Sequence, residues 1–87
     1  MNTVYKYELD LTDVNEITMP MGAEIIHANI DPLGLPCVWA IVNPENKPQR
    51  KLIYIRGTGQ PLPDNCTHLS SFRQGPFIWH VFLPALT

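Results

Sequence analysis

Short segments with alternating apolar and polar residues recur along the whole chain. The first of these, residues 4–11, places Tyr5, Tyr7, Leu9 and Leu11 on one face and charged residues on the other. A period of two is typical of a half-buried β-strand. Further alternating or continuously apolar segments lie at 16–19, 23–30, 37–42, 51–56, 66–72 and 77–83.

The segment 23–30 and the segment 37–42 predict a β-hairpin. Alternation places Ile26, Ala28 and Ile30 on one face of the first strand, opposite Ile25 and His27. Residues 31–34 read Asp-Pro-Leu-Gly, which has proline and glycine at the positions that a type I turn favours. The second arm is apolar on both faces and ends at an Asn-Pro pair.

Helices are not expected anywhere in the chain. No stretch shows helical spacing over ten or more residues, and the nine prolines leave few windows of that length uninterrupted. The sequence therefore predicts an all-β fold, a small antiparallel sandwich or partly open barrel of six or seven short strands with little or no helix. Residues 1–87 are predicted to form a single domain, because a chain of this size supports one hydrophobic core.

Three predicted strands, 37–42, 51–56 and 77–83, are hydrophobic on both faces. No amphipathic helix is available to cover a second face, so either another sheet or another copy of the protein must do so. We therefore expect a homo-oligomer, since self-association is a common remedy for a thin core. Trp39, in the middle of the first of these strands, is expected to pack in the core.

Charge is divided between the two halves of the chain. The net charge is only −2, but residues 1–45 hold seven of the eight acids, whereas residues 46–87 hold five of the six Lys and Arg residues. The start of the chain carries charged residues where a signal peptide would be apolar, and no apolar run is long enough to cross a bilayer. A cytosolic protein with Cys37 and Cys66 as free thiols is expected.

A glycine-rich turn follows the predicted strand 51–56. The residues Arg56, Gly57, Thr58 and Gly59 could direct backbone N–H groups, a hydroxyl and a guanidinium at an anion such as phosphate. Pro61 and Pro63 prevent the helix that dinucleotide-binding and P-loop motifs require behind such a turn. A tight turn or bulge with no ligand is the alternative interpretation.

The basic residues Lys47, Arg50, Lys51 and Arg56 fall within ten residues of one another. They could meet a nucleotide, a nucleic-acid backbone or an acidic protein surface, or simply be solvated. Four charges are too few for strong binding to long nucleic acid, which the acidic half would also repel. A compact anion or a protein partner fits better.

Large aromatic residues could add stacking or an interface anchor to this site. Trp79 and His80 are adjacent on the last predicted strand, where His80 is either a hydrogen-bonded interior histidine or a site residue. The predicted ligand-binding residues are Lys51, Arg56, Gly57, Thr58 and Gly59, followed by Arg50, Trp79 and His80.

Metal binding and catalysis are not indicated by the motifs. The three histidines and two cysteines form no CxxC, HxH or HExxH pair, and zinc ligands normally arrive in close pairs. Ser70, Ser71 and His68 or His80 could serve a small hydrolase, but no nucleophile-elbow motif is present. We expect no metal, no cofactor and no catalytic residues.

The chain resembles a family of short proteins of unknown function encoded by tailed bacteriophages. The resemblance is carried by five blocks, residues 5–9, 17–26, 35–42, 54–61 and 77–82. It implies a non-enzymatic accessory protein in the cytoplasm of an infected bacterium. Such a protein would antagonise a defence system, by sequestering a nucleotide second messenger or by occluding a bacterial defence protein. A structural or assembly accessory of the virion or replication machinery is the alternative, and a small hydrolase the third.

Overall fold

The computed structural model describes residues 1–85, which form seven β-strands. These are β1 (Thr3–Glu8), β2 (Val14–Pro20), β3 (Glu24–Ile30), β4 (Pro36–Val42), β5 (Pro48–Gly57), β6 (Cys66–Gln74) and β7 (Phe77–Pro84). They make two antiparallel sheets, sheet A with the order β1-β4-β3 and sheet B with the order β2-β5-β7-β6. The predicted all-β class is confirmed, and within residues 1–85 the two sheets do not close into a barrel. The residues described include no helix that could cross a membrane.

The core lies between the sheets and is built from alternate residues of the central strands. Val38, Ala40 and Val42 of β4 face Ile53 and Ile55 of β5 across this layer, each almost fully buried. Burying one such Ile or Val side chain contributes about 1.5–3 kcal/mol relative to an exposed position. The second sheet thus covers one face of each two-faced strand.

The outer faces of the same strands stay partly exposed. Leu52 on β5 is 41% exposed and Ile78 on β7 is 42% exposed. Trp39 is half-buried on the outer face of β4, with its ring centroid 5.8 Å from that of His27. The expectation of a core position for Trp39 is wrong, because its neighbours Val38 and Ala40 occupy the inner face.

Strand β3 departs from simple alternation. A bulge between Ile25 and His27 shifts the register of β3 against β4, so Ile25 pairs with Ala40 and Ala28 with Val38. Ile26 is consequently 45% exposed and does not share the buried face of Ala28, as the alternation had predicted.

The first strand is shorter than predicted, ending at Glu8 instead of continuing to Leu11. The side chain of Asn15 accepts a hydrogen bond from the Asp10 N–H and donates one to the Asp10 carbonyl. These bonds turn the chain, leaving Leu9 buried and Leu11 38% exposed.

Asp31 organises the turn between β3 and β4. Its Oδ1 accepts hydrogen bonds from the Leu33 and Leu35 N–H groups, and its Oδ2 lies 2.8 Å from the Lys6 ammonium. The Lys6 hydrogen bond, followed by the Leu35 N–H, lowers the pKa of Asp31 from 3.8 to about 2. The β3–β4 turn is thereby tied to β1.

Ser70 joins the two sheets where β3 and β6 meet. Its hydroxyl accepts a hydrogen bond from the Ala28 N–H at 2.9 Å and donates one to the Ala28 carbonyl at 2.8 Å. Both backbone groups of Ala28 point away from β4, so one side chain satisfies the polar groups of an edge strand. This contact closes one side of the sandwich.

The Asp31 pair predicts a specific pH dependence of stability. Because the folded pKa is depressed, its stabilisation is complete above the unfolded value near pH 4 and is lost as the pH falls to about 2. Urea unfolding across this range should show Asp31→Asn less stable than wild type at neutral pH, with the difference shrinking in acid. Asp64→Asn, at an exposed position, should leave the profile unchanged, and equal profiles for both variants would contradict this assignment.

The Ser70 contact predicts unequal effects of two adjacent substitutions. Ser70→Ala should lower the free energy of unfolding by about 1–3 kcal/mol, because it leaves two buried backbone groups without partners. Ser71→Ala breaks two hydrogen bonds to imidazole nitrogens at the exposed surface, where water can replace the hydroxyl, and should change it by less than about 0.5 kcal/mol. Urea unfolding of both variants measures this, and comparable losses would show that Ser70 is not the connection between the sheets.

Candidate functional site

The predicted glycine turn at the end of β5 is closed by hydrogen bonds between its own residues. The Gly57 N–H donates to the Gln60 side-chain oxygen at 2.6 Å, and the Gln60 N–H donates to the Gly57 carbonyl at 3.1 Å. Gly59 has φ +92°, which favours glycine at this position. Two N–H groups of the turn are therefore satisfied internally, which leaves fewer donors for an anion than the sequence suggested.

Arg56 connects three segments through backbone carbonyls. Its guanidinium donates to the carbonyls of Asp13 at 2.6 Å, Ile55 at 2.9 Å and Pro61 at 2.9 Å. The same group lies 5.9 Å from the centre of the Tyr54 ring. Much of its hydrogen-bonding capacity holds the β1–β2 and β5–β6 loops against β5.

A chain of four hydrogen-bonded side chains crosses the outer face of sheet B. Thr58 Oγ1 lies 2.9 Å from His80 Nε2, and His80 Nδ1 lies 2.8 Å from Ser71 Oγ. Ser71 Oγ is in turn 2.9 Å from His68 Nε2. These hydrogen bonds fix both imidazole rings and connect the turn to the β6–β7 hairpin.

Two shallow hollows flank the turn. One, of about 370 Å³, is lined by Gly57, Thr58, Gln60 and residues 76–79. The other, of about 190 Å³, is lined by residues 56–60, Leu62, His80 and Phe82. We call the surface formed by residues 57–60, Leu62 and residues 77–80 the turn face.

Large apolar side chains surround these hollows. Leu62 is 54% exposed, Phe77 57% and Ile78 42%. Trp79 is held below them: its ring packs 3.5 Å from the position that a Gly57 Cβ would occupy, and its Nε1 donates to Gln74 at 3.3 Å. The turn face therefore offers exposed apolar side chains beside a Trp79 ring that is held in place by packing and a hydrogen bond.

Six of the eight predicted site residues meet at the turn, namely Arg56, Gly57, Thr58, Gly59, Trp79 and His80. Arg50 and Lys51 lie at the opposite end of β5, separated from Arg56 by roughly 15–20 Å at the usual strand rise. They line a different hollow of about 430 Å³. The Arg50 guanidinium is also 3.0 Å from the Glu16 carboxylate.

Sequence reasoning missed part of the turn face. Gln60 and Leu62 of the turn face, and Phe82 beside it, were not among the predicted site residues, although all three line the hollows. Ser71 and His68 were considered as hydrolase candidates rather than as partners of His80. The pairing of Ser71 with His80 in the β6–β7 hairpin was the signal, since directly opposed residues share a face.

Within residues 1–85, no group of three or more His, Cys, Asp or Glu side chains is placed to hold a metal ion. The two thiols, Cys37 and Cys66, are both free.

Comparison with known families identifies the chain. The model of a domain of unknown function, DUF7352, matches residues 1–86. The chain belongs to DUF7352. This confirms the expected membership of a family without an assigned function. No curated protein and no solved structure matches this DUF7352 domain.

Arg56 in this DUF7352 domain is predicted to act mainly as a structural clamp. Arg56→Lys should lower the free energy of unfolding by about 1–2 kcal/mol, because an ammonium cannot reach carbonyls on three segments at once. Arg50→Lys keeps an exposed ion pair and should have little effect. Thermal or urea unfolding distinguishes the two, and an Arg56→Lys variant as stable as wild type would contradict the clamp.

Proposed function

We propose that this domain is a non-enzymatic binding protein that attaches to another protein through the turn face. The observation that carries the proposal is the exposure of Leu62, Phe77 and Ile78 around two shallow hollows beside a hydrogen-bonded turn. Exposed apolar and aromatic side chains on a rigid support are the usual anchors of protein interfaces.

The geometry favours a protein partner over a nucleotide. Small-molecule sites are generally enclosed clefts of about 300–1,000 Å³, whereas the hollows here measure about 370 and 190 Å³ and are open. Arg56 is held by three carbonyls, and Arg50 and Lys51 lie at the far end of β5. A phosphate at the turn would thus meet few free cationic donors.

The residues that line and surround the two hollows indicate the chemistry of the partner. None of the described residues that line the two hollows is acidic, and the exposed Arg73 lies on the neighbouring hairpin. A complementary partner presents an apolar protrusion with acidic residues around it. In the phage setting implied by the sequence resemblance, the target is a bacterial defence protein, bound in the cytoplasm of the infected host.

The polar chain across sheet B supports binding better than hydrolysis. Ser71 is hydrogen-bonded to both His68 and His80, but among the described residues neither imidazole has a carboxylate partner that would orient it as a general base. These hydrogen bonds also run over an exposed face of the sheet. They serve to hold the turn and the β6–β7 hairpin in one arrangement.

The binding surface can be tested by affinity capture with matched variants. Phe77→Ser and Leu62→Ser should reduce capture of a specific protein at least tenfold, because each removes an interface anchor. Leu33→Ser removes an even more exposed apolar side chain, 81% exposed at the β3–β4 turn, and should leave capture unchanged. The interaction is then measured with purified components.

Four results would contradict the proposal. The first two are a failure to capture any protein and capture that the turn-face substitutions leave intact. The third is saturable heat in a calorimetric titration with cyclic or linear nucleotides that Thr58→Val abolishes, which would establish a nucleotide site instead. The fourth is turnover of a substrate that is lost on His68→Ala or His80→Ala, which would point to the hydrolase alternative.

A further inference from the structure

One edge of sheet A, strand β1, presents a row of free backbone groups. The Leu9 N–H donates to the Pro36 carbonyl of β4 at 2.8 Å, and Leu9 continues the register in which Glu8 opposes Cys37. In an antiparallel ladder, the backbone N–H and C=O groups of every second residue point away from the partner strand. The N–H and C=O groups of Val4, Lys6 and Glu8 therefore point toward the open side.

Two other edges carry side-chain or proline protection at particular residues. On β3, Ser70 satisfies Ala28 and the Asn29 side chain accepts the Ile30 N–H at 2.8 Å. On β2, the Thr12 hydroxyl donates to the Val14 carbonyl at 3.1 Å, and Pro20 has no N–H to offer. Such devices prevent an edge strand from pairing with another chain.

Strand β1 lacks protection of this kind. Within residues 1–85, no side chain bonds the outward backbone groups of Val4, Lys6 or Glu8, and β1 contains neither proline nor a bulge. A lysine can guard an edge, but the Lys6 ammonium is drawn over β4 to Asp31 at 2.8 Å. Lys6 is thus paired within its own copy, and its side chain is still 45% exposed on the outer face.

Both faces of β1 are also poorly covered. Val4 on the outer face is 52% exposed, and Tyr5, which opposes Ala40 on the inner face, is 42% exposed. The sandwich is closed by Ser70 at the β3 side, whereas β1 has no equivalent hydrogen bond to sheet B in the part of the chain that the structure describes. An added strand would cover both side chains as well as the backbone edge.

We infer that β1 pairs antiparallel with β1 of a second copy, which joins two three-stranded sheets A into one six-stranded sheet. A two-fold axis normal to the sheet places the core-facing sides of both copies on the same side of the joined sheet. Residues whose backbone groups point toward the open edge must then lie opposite each other across the two β1 strands. The pairing of Lys6 with the Lys6 of the second copy would oppose like charges. The pairing of Lys6 with Glu8 opposes unlike charges twice, and selects Tyr7 as the residue on the axis.

This register ends where the chain stops being extended. It forms about four backbone hydrogen bonds between the Lys6 and Glu8 residues of the two copies. The next outward residue, Asp10, has both backbone groups bonded to Asn15. A second copy fits because it supplies the complementary charge in the same register. The inference is independent of the proposed function, since the turn face lies on sheet B.

The oligomeric state of edge variants tests the inference. Sedimentation over about a hundredfold concentration range should show a monomer–dimer equilibrium for wild type. Glu8→Pro, which removes an outward N–H and leaves the ladder to β4, should weaken it about tenfold or more. Thr18→Pro makes the same change on the outward side of β2 and should leave the dimer intact. Circular dichroism and urea unfolding establish that both variants fold.

Cross-linking tests the register. In a Cys66→Ser background, Tyr7→Cys should form an intermolecular disulfide, since a residue on the axis has Cα atoms about 4.5 Å apart. Tyr5→Cys should not, because residue 5 of one copy lies roughly 13 Å from residue 5 of the other in this register. Tyr5 is the more exposed residue, so random collision would favour it instead.

A monomer at every concentration would overturn the inference, as would a dimer that Thr18→Pro dissociates and Glu8→Pro leaves intact. Cross-linking through Tyr5→Cys alone would overturn the register.

Discussion

The structure depends on how its edge strands satisfy their backbone hydrogen-bonding groups. Two short sheets without helices expose four edges, and an unpaired buried N–H or C=O is strongly unfavourable. A single hydroxyl, that of Ser70, satisfies both groups of the buried residue Ala28. This contact sets the side on which the sandwich closes, and leaves β1, on the opposite edge of sheet A, as the open one.

The same asymmetry separates two surfaces of the domain. The turn face is built on sheet B and is stiffened by bonds that run between strands, from Thr58 through His80 and Ser71 to His68. The β1 edge belongs to sheet A and is defined by its free backbone groups. A dimer formed through β1 would present two turn faces, and so bind a repeated or symmetric partner with higher avidity.

Local patterns in the sequence were sufficient to predict the strands and most turns. Alternation and proline placement predicted seven extended segments, and the Asp31 turn followed from its residue types. The bulge at Ile26 was not predictable, because one inserted residue reverses the faces of a strand without changing its composition. Alternation alone therefore placed Ile26 on the wrong face.

The candidate site was only partly predictable for a related reason. Proximity along the chain grouped Arg50 and Lys51 with Arg56, although an extended strand separates them by its own length. The bonds that determine the role of Arg56 reach Asp13, 43 positions away, and Ser70 reaches Ala28 across 42 positions. Such contacts are set by packing of the two sheets, and no local motif records them.

Amide hydrogen exchange, resolved by residue, tests the edge-strand account most directly. In dilute protein, the Ala28 and Ile30 amides should exchange slowly, whereas those of Val4, Lys6 and Glu8 should exchange quickly. Raising the concentration should slow exchange at Lys6 and Glu8 selectively. Fast exchange at Ala28, or exchange at Lys6 and Glu8 that is slow in the monomer, would contradict the account.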